Sequence, residues 1–161
     1  MKAAHNPLGV RQVIAAFCLA LLSATGLAAT PDFLERQNLE PELSQAKEAI
    51  KLRDWKTAKP FLDKLLVANP ENADLLTLSA FVCRKSADLE CAFAKYKKAL
   101  KLEPGNLKAL EYLGEAYLQA GQLKSARVQL DLIEKFCSRQ CEEWEDLDQE
   151  IRAFNKKHPA K

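Results

Sequence analysis

The sequence predicts an all-α fold, a superhelical stack of about three helix hairpins closed by a C-terminal capping helix. Three observations predict this architecture. Only 5 of the 161 residues are glycine, and alanine, leucine, lysine and glutamate are abundant, which favours helices. Similar segments surround Pro70 and Pro104, and their separation of 34 residues is a period typical of helical repeats. Apolar residues near the end of the chain recur at the spacing of one helix face.

Residues 1–29 have the pattern of a secretory signal peptide. They carry two cations and no acid, and an apolar run at 13–22 precedes small residues that suit cleavage. The run is too short for a stable membrane span, so we expect none after cleavage, with an uncleaved anchor as the alternative. Lipidation at Cys18 is not favoured, because Phe17 precedes it. The pattern is typical of bacteria and predicts a periplasmic or secreted protein.

Removal of this segment changes the charge and the cysteine count. The formal net charge of +2 falls to about 0, so the net charge does not indicate a nucleic acid partner. Four of the 5 cysteines remain, and an even number in an exported protein favours disulfides. They are Cys83, Cys91, Cys137 and Cys141.

Three repeats follow an expected linker at 30–38. Aligned on the two prolines, they occupy residues 39–72, 73–106 and 107–138. Small residues recur at positions 8 and 20 of each repeat: Ala46 and Ala58, Ala80 and Ala92, Gly114 and Ala126. This pattern resembles the tetratricopeptide repeat (TPR), in which small residues at these positions let paired helices pack closely. The resemblance covers 39–138 and implies a right-handed superhelix.

Pro60 departs from this pattern, because it falls at position 22, inside the second helix of the first repeat. A proline in a helix interior removes a backbone donor and clashes with the preceding turn. We therefore expect that helix either to start late, with Pro60 in its first turn, or to be kinked.

Residues 139–158 are expected to form the capping helix, and 159–161 a tail. Trp144, Leu147, Ile151 and Phe154 share one helix face, while acids at the start and lysines at the end suit the helix dipole. One face of this helix should cover the third repeat. A partner-binding role for the same aromatic stripe is the alternative.

The TPR resemblance implies that the chain binds a protein or peptide on a concave face, lined mainly by positions 2, 5, 9, 12 and 13 of each repeat. The candidate groove residues are Lys47, Ile50, Thr77, Phe81, Arg84, Lys108, Glu111 and Glu115. The face is expected to be basic at the first repeat and acidic at the third, and an ordinary solvated helix face is the alternative. Of the carboxylate clamp found in chaperone-binding TPR domains, only Lys108 is present, so a C-terminal carboxylate ligand is not expected.

The four cysteines form two predicted pairs. Cys83 and Cys91 flank the turn of the second hairpin, where antiparallel helices would bring them together, and a disulfide is favoured over free thiols. Cys137 and Cys141 flank the turn before the capping helix, where a structural disulfide is again favoured. A metal site, a redox pair and pairing between the two sets are the alternatives.

No catalytic constellation stands out. After residue 29 the only histidine is His158, near the end of the chain, and the sequence has no glycine-rich phosphate loop. We therefore expect a non-enzymatic TPR adaptor or scaffold in the bacterial cell envelope, without a cofactor, that binds another protein or peptide. The alternative is a cysteine-centred redox or Cu(I)-handling accessory protein.

Overall fold

The computed structural model of the protein describes the backbone of residues 31–159 and the side chains of residues 40–159. The predicted signal segment, 1–29, and most of the predicted tail lie outside these residues. The described chain forms seven α-helices and one short 3₁₀ helix. They are α1 (Pro31–Lys51), α2 (Trp55–Ala68), α3 (Ala73–Lys85), α4 (Leu89–Leu102), α5 (Leu107–Gln119), α6 (Leu123–Cys137), the 3₁₀ helix (Ser138–Gln140) and α7 (Glu142–Lys157). No described helix is both long enough and apolar enough to span a bilayer.

The first helix begins earlier than the sequence predicts. The structure differs from the expected linker at 30–38, because the backbone of residues 31–38 belongs to α1, while residue 30 lies outside the described residues. Pro31 is the first described residue of this helix.

Pro60 also differs from its expected placement. Helix α2 begins at Trp55, so Pro60 lies in its second turn and the helix does not start late. Proline at this position removes the helical donor to the carbonyl of Lys56, and both residues are exposed. The Asp54 side chain fixes the start of the helix by accepting a hydrogen bond from the backbone N–H of Thr57 at 3.1 Å.

Each hairpin turns at the same place in its repeat. The residue with a left-handed backbone is Arg53 (φ 58°) in the first turn, Ala87 (φ 63°) in the second and Gly121 (φ 75°) in the third. These residues are 34 positions apart. Only the third is glycine, the residue that adopts this conformation without strain. The three hairpin turns therefore share one backbone geometry even though their residues at this position differ.

The small residues of the repeat pattern lie in the core, as expected from close helix packing. Helices pair as α1 with α2, α3 with α4 and α5 with α6, and α7 packs on α5 and α6. Five small residues at positions 8 and 20 are 0% exposed: Ala46, Ala58, Ala80, Ala92 and Ala126. The predicted all-α stack of hairpins with a C-terminal capping helix is confirmed.

Gly114 supplies the sixth small residue and lets the capping helix approach. A Cβ atom added at this glycine would lie 2.5 Å from Cδ2 of Leu147, a distance that real Cβ contacts essentially never show. Leu147 is 0% exposed and Ile151 is 5% exposed, so the apolar face of α7 is inserted into the core. The cap is therefore part of the stack and completes the face on which the predicted groove lies.

Candidate functional site

An aromatic cluster joins the first three hairpins. The ring of Phe81 on α3 lies edge-on to that of Trp55 at 5.8 Å between centroids, and it contacts the tilted ring of Tyr112 on α5 at 5.0 Å. Sequence reasoning identified Phe81 but missed Trp55 and Tyr112. Tyr112 is 31 residues after Phe81, one helical turn short of the repeat, so the spacing alone places the two rings on neighbouring helices.

Arg84 lies against this cluster and is almost fully buried. Its guanidinium carbon is 5.5 Å from the ring centroid of Phe81 and 5.6 Å from that of Tyr112, within the range of cation–π attraction. Its Nη1 pairs with Oε2 of Glu115 on α5 at 2.5 Å. The residue is only 5% exposed, so it is not the solvated groove cation that its sequence position suggests.

Two donor nitrogens of Arg84 have no partner in the part of the chain that the structure describes. These are Nε and Nη2, and both are buried. The hydroxyl of Tyr96, also buried, has no hydrogen-bond partner there either. Burial raises the pKa of Tyr96 above its usual range, although the nearby guanidinium of Arg84 acts in the opposite direction. Buried polar groups are normally satisfied, so this region has spare hydrogen-bonding capacity.

Two other predicted groove residues are buried. The hydroxyl of Thr77 donates to the carbonyl of Ala73 at 2.8 Å, one turn earlier in the same helix, so its polar group is satisfied internally. Glu111 is 4% exposed, and its Oε2 accepts a hydrogen bond from Nζ of Lys108 at 3.1 Å. Lys108 also lies 3.5 Å from Oε1 of Glu143 on α7, which links the third repeat to the cap.

Burial dominates the electrostatics of this link. Desolvation raises the pKa of Glu111 to about 7, and the hydrogen bond and charge of Lys108 act in the opposite direction. Desolvation works to lower the pKa of Lys108, but the hydrogen bond that Lys108 donates to Glu111 and the neighbouring acids raise it on balance. Glu111 is therefore a poorly solvated acid in a helix interface, and a ligand has little access to it.

The charge of the face differs from the predicted gradient. Glu111 and Glu115 form pairs with Lys108 and Arg84, which removes the acidic end that the sequence predicts at the third repeat. On the side of the first repeat, Lys47 on α1 is exposed, and Ile50 is half-buried beside the aromatic cluster. Among the charged residues predicted for the groove, Lys47 is exposed, whereas Lys108 and Glu115 are half-buried and paired.

Both cysteine pairs are adjacent in space. The Cα atoms of Cys83 and Cys91 are 5.8 Å apart, and those of Cys137 and Cys141 are 6.0 Å apart. Both separations lie in the range of about 4.4–6.8 Å that a disulfide requires. A carboxylate oxygen of Asp88 and the Sγ atoms of Cys83 and Cys91 all lie within 4.8 Å of one another. These three atoms could also approach a metal ion if the thiols were reduced.

Comparison with known proteins supports the repeat architecture. Residues 84–136 match the tetratricopeptide repeat family. The paired helices of the described chain define the class of fold, a helical solenoid of the TPR type. Over 70 residues, 42% of this chain, the sequence is 36% identical to the BBSome complex member bbs-4 of Caenorhabditis elegans, and it spans 15% of the length of that protein.

Solved structures, two of them described as TPR domains, superimpose on most of the chain. The TPR domain of Arabidopsis OM64 gives a TM-score of 0.65 at 19% identity, over 73% of this chain and 96% of that domain. The first TPR domain of Spaghetti (RPAP3) bound to an HSP90 peptide gives 0.66 at 18%, over 77% and 95%. The translocator chaperone SycD of Yersinia enterocolitica gives 0.66 at 16%, over 80% and 88%. At these identities the likeness shows the fold alone.

Proposed function

We propose that the protein is a non-enzymatic TPR adaptor or scaffold of the bacterial cell envelope that binds a segment of another protein. The observation that carries the proposal is the aromatic cluster of Trp55, Phe81 and Tyr112, with the Nζ atom of the exposed Lys85 5.3 Å from the Phe81 ring centroid. Tryptophan, tyrosine and phenylalanine are enriched in protein interfaces, and tryptophan and tyrosine are enriched among the residues that contribute most to binding. The similar structure of Spaghetti holds an HSP90 peptide, which supports this use of the fold.

Site-specific photocrosslinking tests the proposal. A benzoyl-phenylalanine at position 85 would lie beside the aromatic cluster, whereas the same residue at position 124 would lie at an exposed position on α6. We expect a covalent adduct with a second protein from position 85 only. The Phe81→Ala change should reduce its yield, with circular dichroism showing that the variant is folded. Equal adducts from both positions, or none from position 85, would contradict the proposal.

The envelope location is the less direct part of the proposal. It is supported by the signal-like pattern of residues 1–29, which carry two cations, no acid and an apolar run at 13–22. N-terminal sequencing of the protein from a periplasmic extract tests it. We expect a mature chain that begins between residues 27 and 31. A chain retaining Met1 in the cytoplasmic fraction would contradict it.

In that compartment we propose that both cysteine pairs are disulfides, because the Cα separations of 5.8 Å and 6.0 Å suit the bond. The second candidate function, a redox or Cu(I)-handling role, is favoured only by the group of Cys83, Asp88 and Cys91. Intact mass before and after alkylation separates the two. A mass four hydrogens below that of the reduced chain, with no alkylation, supports two disulfides. Alkylated thiols together with one bound Cu(I) per chain would favour the second candidate.

A further inference from the structure

Two neighbouring depressions lie on the groove face and share one residue, Lys85. The first, which we call the α7 cleft, has a volume of about 410 Å³ and includes Arg84, Glu115 and Leu118 together with Phe154 and Lys157 of the cap. The second, the Trp55 pocket, has a volume of about 280 Å³. Ile50, Lys51, Arg53, Trp55, Phe81 and Lys85 line it. Because they share Lys85, the two form one continuous surface at the C-terminal ends of α1, α3 and α7.

The charges on this surface are unequal. The lining of the Trp55 pocket includes three cations and no acid, although Glu48 on the adjacent turn lies 3.8 Å from Lys51. The α7 cleft adds Arg84 and Lys157 against two acids, Glu115 and Glu150. Glu115 is already paired with Arg84. An approaching chain therefore meets an excess of exposed cations.

The apolar parts of the surface lie between these cations. The Nζ atom of Lys85 is 5.3 Å from the ring centroid of Phe81, at the point where the two depressions meet. In the α7 cleft the half-buried ring of Phe154 provides a second apolar contact. Beneath them, Nε and Nη2 of Arg84 are buried donors without a partner among the described residues, while Nη1 is paired with Glu115.

We propose that this surface binds an acidic segment of the partner protein, with carboxylate side chains beside Lys85 and Lys157 and apolar side chains on Phe81 and Phe154. This inference rests on the proposed function and adds the chemistry of the ligand. A nucleic acid fits the surface less well, because Glu150 would face its continuous phosphate charge, whereas the separate carboxylates of a peptide can be placed away from it. Residues 1–29 of the chain itself fit less well too, since they carry two cations and no acid.

Selection from a peptide library tests the proposal without knowledge of the partner. Random 12-residue peptides displayed with both ends linked to the carrier would be selected on the purified protein. The best binder would then be synthesised with an acetylated N-terminus, an amidated C-terminus and a fluorescein label. We expect selected sequences to be enriched in aspartate and glutamate next to apolar residues. Replacing these acids with their amides should weaken binding about tenfold in fluorescence anisotropy.

A charge-reversal variant and a matched control complete the test. Lys85→Glu with Lys157→Glu should weaken binding of the acidic peptide by about tenfold or more. Lys101→Glu with Lys124→Glu makes the same change in net charge at exposed positions on α4 and α6, and should leave binding within about twofold. Circular dichroism would verify that both variants are folded.

The outcomes separate this inference from the proposed function. If no peptide is enriched on the wild-type protein, the proposed function fails. If peptides are enriched without acids, or if both double variants bind equally well, only the acidic specificity is wrong. Binding of a 20-nucleotide single-stranded DNA that is lost in the Lys85→Glu, Lys157→Glu variant and kept in the control would overturn the inference in favour of a nucleic acid ligand.

Discussion

The α3–α4 turn and the α6–α7 turn each bring two cysteines together, but the two junctions are built differently. The α3–α4 turn contains Ala87 in a left-handed conformation, and Asp88 caps α4 by accepting a hydrogen bond from the N–H of Cys91 at 3.1 Å. The α6–α7 junction passes through a 3₁₀ helix that starts at the left-handed Ser138. There α7 begins after Cys141 without a side-chain capping bond.

This difference indicates what fixes each helix. Local turn chemistry and capping define the start of α4, as they do for α2, α3 and α5. Helix α7 lacks that local signal, so its position depends on tertiary contacts, chiefly the fully buried Leu147 against Gly114. Helix α6 also begins without a side-chain capping bond, whereas α3 and α4 are both capped. The cap should therefore be more sensitive than the α3–α4 hairpin to loss of core packing.

The largest expected effect is that of Leu147→Ala. The side chain is 0% exposed, so its removal leaves a cavity between α5 and α7 and should lower the free energy of unfolding by about 3 kcal/mol. Urea denaturation followed by circular dichroism measures the change. If α7 depends on packing as inferred, its amides should also lose hydrogen-exchange protection before those of α3 and α4.

A double-mutant cycle with Gly114→Ala sharpens this test. Alone, this change should destabilise the protein by about 1 kcal/mol, because overpacking against Leu147 exceeds the gain in helix propensity. In the Leu147→Ala background it should be neutral or stabilising, since the cavity accepts the extra methyl group. Val128→Ala, at a position 53% exposed on α6, is the control and should change stability by less than about 0.5 kcal/mol. Additive effects of the two core changes would refute the contact.

The next expected effect separates the two cysteine pairs. If both are disulfides, Cys83→Ala with Cys91→Ala removes a link across 8 residues, and Cys137→Ala with Cys141→Ala removes a link across 4. The loop-entropy relation gives a loss of about 2–3 kcal/mol for the first pair and about 2 kcal/mol for the second. Only the second change should also increase hydrogen exchange at the start of the following helix, because α7 begins without a side-chain cap. After the first change, α4 still has the Asp88 cap.

Reduction of the wild-type protein supplies the control for this comparison. With dithiothreitol present, the wild type should become as stable as the quadruple alanine variant, to within the small effect of the lost sulfur atoms. A wild-type melting temperature that does not change on reduction, while both double variants remain destabilised, would mean that the cysteines act through packing and not through covalent links.

The stack could be predicted from the sequence because the same residue pattern recurs in each of the three repeats. The alanines at positions 8 and 20 must be small for two helices to approach, and a period of 34 residues is visible without any structure. The start of α1 was missed for the opposite reason. Residues 31–38 precede the first repeat, so the repeat pattern gives no signal for a helix there, and Pro31 also suits a linker.

The candidate site was predicted in position more than in chemistry. The repeat register placed Arg84 and Glu111 on the groove face, but it could not show that both would be buried in ion pairs with Glu115 and Lys108. Arg84 and Glu115 are 31 positions apart in the sequence. Lys108 and Glu111 lie on one helix, and the burial of Glu111 depends on the packing of α7. The charge of a surface follows from what remains unpaired, and a linear pattern does not specify that.

The smallest expected effect concerns the polar link between α5 and the cap, which has no counterpart in the α3–α4 turn. Burial raises the pKa of Glu111 from its ordinary value of 4.5 to about 7, against the influence of Lys108. Because the folded protein then holds this proton more tightly than the unfolded chain, Glu111 destabilises the fold increasingly as pH rises from 4.5 to 7. Glu111→Gln mimics the protonated side chain, so it should be as stable as wild type at pH 4.5 and about 1 kcal/mol more stable at pH 8.

Urea denaturation at the two pH values measures this difference, and Glu150→Gln, at an exposed position on α7, is the matched control. The control should show no such pH-dependent gain, because its carboxylate is exposed to solvent. Lys108 also lies 3.5 Å from Glu143 in the wild type, so the link to the cap should be weakened but not lost in the Glu111→Gln variant. If Glu111→Gln were instead less stable than wild type at pH 8, the pair with Lys108 would stabilise the α5–α7 interface by more than burial of the acid destabilises it. The junction would then be held by charge as well as by the packing of Leu147.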